Sequence, residues 1–132
     1  METIFTKIIK GEIPCYKIDE NDQFIAFLDI SPLAKGHTLV VPKQQIDYIF
    51  DIDDDTLAAM TIYAKKIAKA IEKTVPCERI GVAVVGLEVP HTHIHLVPIS
   101  HIGDVNFQNP RVELTKEEFA AIAEGIAKNL NA

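Results

Sequence analysis

Apolar and polar positions fall into recognisable periods along the chain. Ile4, Phe5, Ile8 and Ile9 recur at helical spacing ahead of the breakers Gly11 and Pro14, which predicts a short amphipathic helix over Thr3 to Lys10. Tyr16 to Asp19 and Gln23 to Asp29 flank the polar stretch Glu20-Asn21-Asp22, and the second run carries Phe24, Ile25, Phe27 and Leu28, so a β-hairpin is expected. Thr38-Leu39-Val40-Val41-Pro42 predicts a short strand between Gly36 and a proline edge. Asp53-Asp54-Asp55-Thr56 precedes Leu57, Met60, Ala64, Ile67 and Ile71, a helical stripe that ends at Val75-Pro76, with acidic residues set against the positive end of the helix dipole. Two further strands are expected at Ile80 to Val85 and His91 to Val97. A capping box of Thr115 and Glu118 opens a last helix from about Lys116 to Asn129, with Phe119, Ile122, Ile126 and Leu130 on one face. Helices and strands do not strictly alternate, which predicts an α+β domain with a mainly antiparallel sheet.

The chain has 132 residues, 48% hydrophobic and 24% charged, so a single domain over 1–132 with a sizeable core is expected. The formal net charge of −6 and the lack of any Lys/Arg block argue against wrapping nucleic acid. Any phosphate it binds has to be attracted locally. Cys15 and Cys77 form no CxxC pair, so neither a disulfide framework nor a thiolate metal site is indicated, and a reduced cytoplasmic setting is expected. No apolar stretch approaches membrane-spanning length and Met1 to Lys7 does not resemble a leader, so no membrane partner is expected. The aspartate run lacks the spacing of a calcium loop and reads as a helix start.

The chemistry concentrates in His91-Thr92-His93-Ile94-His95-Leu96-Val97. On an extended chain, alternate residues share a face, so the three imidazoles project together, about 6.6 to 6.8 Å apart along the chain. That spacing suits surrounding one small anion such as a phosphate. Neutral imidazole is a nucleophile toward phosphorus, and protonated imidazole donates to phosphate oxygens or to a leaving group. His-x-His on a strand is also a metal-ligand arrangement, but the first acid after His95 is Asp104 and no cysteine lies close in sequence, so no metal is assigned. Phosphate-loop, dinucleotide and nucleophile-elbow patterns are missing, which leaves the histidines to carry any chemistry.

This motif resembles the signature of the histidine triad (HIT) proteins. Three earlier blocks are similar to the family's in the same order: Ile4 to Pro14, Ala26 to Pro32, and Gly36-His37-Thr38 through Lys43. The resemblance covers about residues 3–100. It implies a HIT-like fold, with a five-stranded antiparallel sheet, a short N-terminal helix, a long central helix and a C-terminal helix, in a homodimer. It further implies a nucleotide hydrolase or transferase of the Hint-like branch, acting at the α-phosphate of a purine nucleoside 5′-phosphoramidate or related ester without a cofactor. By resemblance His93 is the nucleophile, His95 contacts the phosphate, His91 supports the nucleophile's orientation and His37 is the fourth member of the site. Asp29 would accept the ribose hydroxyls. Phe5, Ile8, Ile13, Phe27, Leu28, Ile30 and Leu39 would surround the base, although from the sequence alone they are simply core residues.

The chain departs from the family pattern in two places. Ile80 to Pro90 lacks an Asn common on that strand and has Glu88 where a hydroxyl is common, which bears on leaving-group assistance. Thr3 and Thr6 replace the cysteines of a structural zinc site found in some relatives, and Gln44-Gln45 stand where its histidine is expected, so structural zinc is not expected. A dinucleoside polyphosphate hydrolase, and a nucleotide-binding scaffold with little turnover, are the competing readings.

Overall fold

The computed structural model describes residues 1–131. Its elements run α1 (Ile4–Ile9), β1 (Lys17–Glu20), β2 (Phe24–Leu28), β3 (Thr38–Pro42), α2 (Asp54–Thr74), β4 (Arg79–Ala83), β5 (Ile94–Ile99) and α3 (Lys116–Lys128), with 3₁₀ turns at Ile49–Asp51, Ile102–Asp104 and Asn129–Asn131. The strands form one antiparallel five-stranded sheet in the order β1-β2-β3-β5-β4. The α+β architecture expected from the sequence is therefore the one observed.

Period-two alternation splits the sheet's side chains between two cores. Phe24, Ala26 and Leu28 of β2, Val40 of β3 and Ile94 and Leu96 of β5 pack beneath the stripes of α2 and α3, where Met60, Ile67, Ile71 and Ile126 are almost wholly buried. Ile25, Phe27, Leu39 and Val41 face the other way and form a smaller cluster with Phe5 of α1. Thr3 caps α1 and Thr115 caps α3, each in a reciprocal box, and Asp53 caps α2 through Thr56 N–H at 3.1 Å. The small helix α1 leaves much of this second face open, and the cavity described below lies there.

Several strand boundaries differ from the sequence expectation. The last strand starts at Ile94 and not at His91. Thr92 leaves the ladder because its N–H and its hydroxyl both donate to Ile46 O at 2.7 Å, and the β3–β5 pairing stops at Val40↔Ile94. Pairing of β4 likewise stops at Ala83↔His95, so Val84 and Val85, expected in the strand, run free toward a turn at Gly86, whose φ of 75° suits glycine. Glu20, expected in the hairpin turn, ends β1 opposite Ile25.

Candidate active site

The open sheet face holds a cavity of about 560 Å³, within the range of small-molecule sites. Phe5 and Ile8 of α1, Ile13, Phe27 of β2 and Leu39 of β3 form its apolar floor, with Asp29, Ile30, Glu88, His93 and His95 around it. Leu28 lies at the margin, but its side chain belongs to the helix-side core, since neighbours on a strand face opposite ways. Ile30 is 72% exposed at the rim. His91 and His37 are buried outside the cavity lining.

Alternation survives the loss of strand pairing at His91 and His93. The rings of His91 and His93 both sit edge-on to Phe5, at centroid distances of 5.8 and 4.9 Å, and His93 and His95 are 4.9 Å apart. The rings of His93 and His95 thus lean closer together than their backbone spacing.

Hydrogen bonds fix which nitrogen of each ring carries the proton. His93 Nδ1 lies 2.8 Å from the carbonyl of His91. A carbonyl only accepts, so Nδ1–H donates and Nε2 keeps the lone pair of the neutral ring. His37 Nδ1 accepts the N–H of Leu33 at 2.9 Å, which places its proton on Nε2, and that N–H donates to His95 Nδ1 at 3.0 Å. His95 is left with Nε2–H as a donor. The cavity therefore carries a lone pair on His93 beside an N–H on His95, a nucleophile next to an oxyanion donor.

Burial keeps the rings of His37 and His95 neutral. It is the leading cause that lowers His37 to about 3 and His95 to about 4, with the neighbouring histidines and Arg111 adding to it. The 3.7 Å approach of His37 Nε2 to Asp29 Oδ2 is thus a contact between a neutral ring and a carboxylate. Asp29, His37 and His95 bring ligand-type atoms within 4.8 Å of one another. In the tautomers above, the His37 Nε2 position that such a cation would use carries the proton of the hydrogen bond to His95.

The backbone explains why Asp29 and His37 meet. Gly36, with φ of 93°, turns the chain into β3, and a Cβ there would lie 2.8 Å from Val75 Cγ2. Immediately after it, His37 O accepts Asp29 N–H at 3.0 Å. Asp29 Oδ1 accepts the N–H of Ser31 at 2.8 Å, leaving Oδ2 with acceptor capacity. Burial raises the Asp29 pKa, opposed by the Ser31 hydrogen bond and by Arg111 and His93, while Glu88 raises it further.

His91 reaches the site through its backbone. Its Nε2–H donates to Pro42 O at 2.8 Å, so Nδ1 accepts from Thr3 Oγ1 at 2.9 Å. Thr6 Oγ1 donates to Gln45 Oε1 at 2.8 Å and lies 3.1 Å from Thr3 Oγ1. Thr3, Thr6, Gln45 and His91 thus meet in one cluster of hydroxyls, amide and ring, which ties α1 to the residue whose carbonyl orients His93.

Sequence reasoning missed the wall formed by Phe107, Gln108 and Arg111. The ring of Phe107 packs edge-on against His95 at 4.7 Å and His37 at 6.4 Å. These residues lie in an irregular segment without periodicity, and an aromatic placed close after the triad was the only signal available.

The HIT domain model matches residues 10–102. The chain belongs to the histidine triad (HIT) family. An adenosine 5′-monophosphoramidase of Schizosaccharomyces pombe is 34% identical to it, covering 98% of this chain and 99% of the relative. The adenosine 5′-monophosphoramidase of Saccharomyces cerevisiae is 42% identical over 72% of this chain and 61% of its own length. A Hit-like protein from Bartonella henselae has the same fold, with a TM-score of 0.83 and 33% identity over 97% of this chain and 96% of its own. For this HIT protein, family and fold follow the resemblance seen in its motif blocks.

Proposed function

We propose that this HIT protein hydrolyses or transfers at the α-phosphate of a purine nucleoside 5′-phosphoramidate or related ester, through a nucleotidyl-His93 intermediate. The observation that carries the reading is the pairing of an oriented His93 Nε2 lone pair with the relay-held His95 Nε2–H in one cavity. The phosphoramidase activity of the two yeast relatives supports the substrate class.

In the proposed course His93 Nε2 attacks the α-phosphorus, forming a P–N bond as the bond to the leaving nitrogen or oxygen breaks. The leaving group takes a proton from solvent, matched by the proton that the attacking water gives up in the second step, and His95 Nε2–H donates to a phosphate oxygen in the crowded state. Water then attacks phosphorus, displaces Nε2 and releases the nucleoside monophosphate. Asp29 Oδ2 accepts the ribose hydroxyls and the apolar floor takes the base. Leu28, by contrast, serves the core behind this floor.

The open edge of β4 supports association into a homodimer, since Val82 is 65% exposed there. Among the described residues no helix is long and apolar enough to cross a membrane; the cytoplasm is the proposed location.

A substrate panel with and without chelator tests the reading. Turnover of an adenosine phosphoramidate above that of a diadenosine polyphosphate, unchanged by chelator, is expected. Preference for the dinucleotide, or nucleotide binding without turnover, would contradict it.

A further inference from the structure

An acidic chain whose cavity carries Asp29 and Glu88 has to find local positive charge if it is to hold a phosphate. His37 and His95 do not provide it, because burial holds both rings neutral well below pH 6. Among the described residues that line the cavity, Arg111 is the single Lys or Arg.

The structure holds this side chain in place although it is exposed. Arg111 Nη1 donates to Ser31 O at 2.9 Å and Nη2 donates to Phe107 O at 3.1 Å. Its guanidinium lies 5.7 Å from the centroid of Phe107, the ring that packs on His95. Ser31 in turn is bonded to Asp29, so the cation is anchored between the carboxylate's turn and the histidine relay. A guanidinium has five N–H donors, and these two bonds leave three unused. Its charge is felt at Asp29, His37 and His95.

Resting on the function proposed above, we infer that Arg111 is a substrate-binding residue that takes the phosphate oxyanions of the nucleotide through its unused N–H donors. Binding of the phosphate is then shared between one neutral donor, His95, and one full charge that needs no protonation. Because the charge is preorganised by two carbonyls, little side-chain order is lost on binding.

Affinities of the full chain and its R111Q and R111K variants for adenosine and for AMP, at low and high salt, test this. R111Q should bind AMP about tenfold more weakly at low salt and adenosine as the parent does, and the AMP defect should shrink with salt, as screening of an exposed charge requires. R111K, which keeps the charge but not the two-carbonyl fork, should lie between. Equal losses for adenosine and AMP would mean that Arg111 only clamps the Phe107 segment, and unchanged AMP affinity would mean that it does not read phosphate; either overturns the inference. A parent that binds AMP without turning over a phosphoramidate would sink the proposed function while leaving the Arg111 result standing, whereas a parent that binds no AMP would sink both.

Discussion

His37 is fully buried and bonded at both ring nitrogens, so its two roles can be removed one at a time. His37→Asn keeps an acceptor near Nδ1 for Leu33 N–H but has nothing to offer His95. His37→Gln can place its amide N–H near the old Nε2 and keeps the donor to His95, at the expense of the Leu33 acceptor. Each variant leaves one buried polar group unpaired, so each should lose about 1 to 3 kcal/mol of stability. Their activities should separate. Without the His37 donor, His95 is no longer held in its Nε2–H form. Losing a neutral hydrogen bond worth about 1 to 1.5 kcal/mol in such a site reduces the competent tautomer and its aim by about 5- to 10-fold in kcat. His37→Gln should stay within about threefold of the parent. Denaturant melts alongside kcat on an adenosine phosphoramidate make the comparison. If His37→Asn keeps parental kcat, or if both variants lose activity in proportion to lost stability, the relay reasoning fails.

Two other outcomes follow from the same geometry. Asp29→Asn should weaken AMP binding by about 1.5 to 3 kcal/mol, because an amide nitrogen in place of Oδ2 faces the ribose hydroxyls and His37 Nε2–H as a donor; parental affinity in a folded variant would refute the ribose assignment. Acid should destabilise the protein through His37 and His95. Their folded-state values of about 3 and about 4 lie below the ordinary 6.5, so the unfolded chain binds the extra protons. Stability is fully present above pH 6.5 and falls progressively below it, by about 2 kcal/mol per ring at pH 5. Denaturant melts at pH 7 and pH 5 measure the loss, and a flat profile would contradict neutral burial.

The legible parts of the molecule were those set by local periods and caps. The strand Thr38–Pro42, the α2 stripe and the Thr115–Glu118 box all match, because side-chain periodicity and capping act within a few residues. The boundary at His91 did not, since Thr92 is drawn off the sheet by a carbonyl 46 positions away. Leu28 adjoins Phe27 in the motif block that the resemblance places at the base, yet strand alternation sends the two side chains to opposite faces. The tautomers, and the approach of Phe107 and Arg111 to the histidines, depend on long-range contacts for which no spacing in the sequence codes.

The most direct test of the account is a rapid-quench reaction with a nucleoside phosphoramidate labelled at phosphorus. A nucleotidyl adduct, labile in acid and stable in base, is predicted on the peptide holding His91 to His95. It should be assigned to His93 and be absent from His93→Ala, which should lose several orders of magnitude in turnover. An adduct mapped to another residue, or near-parental turnover by His93→Ala, would contradict the claim that His93 is the nucleophile.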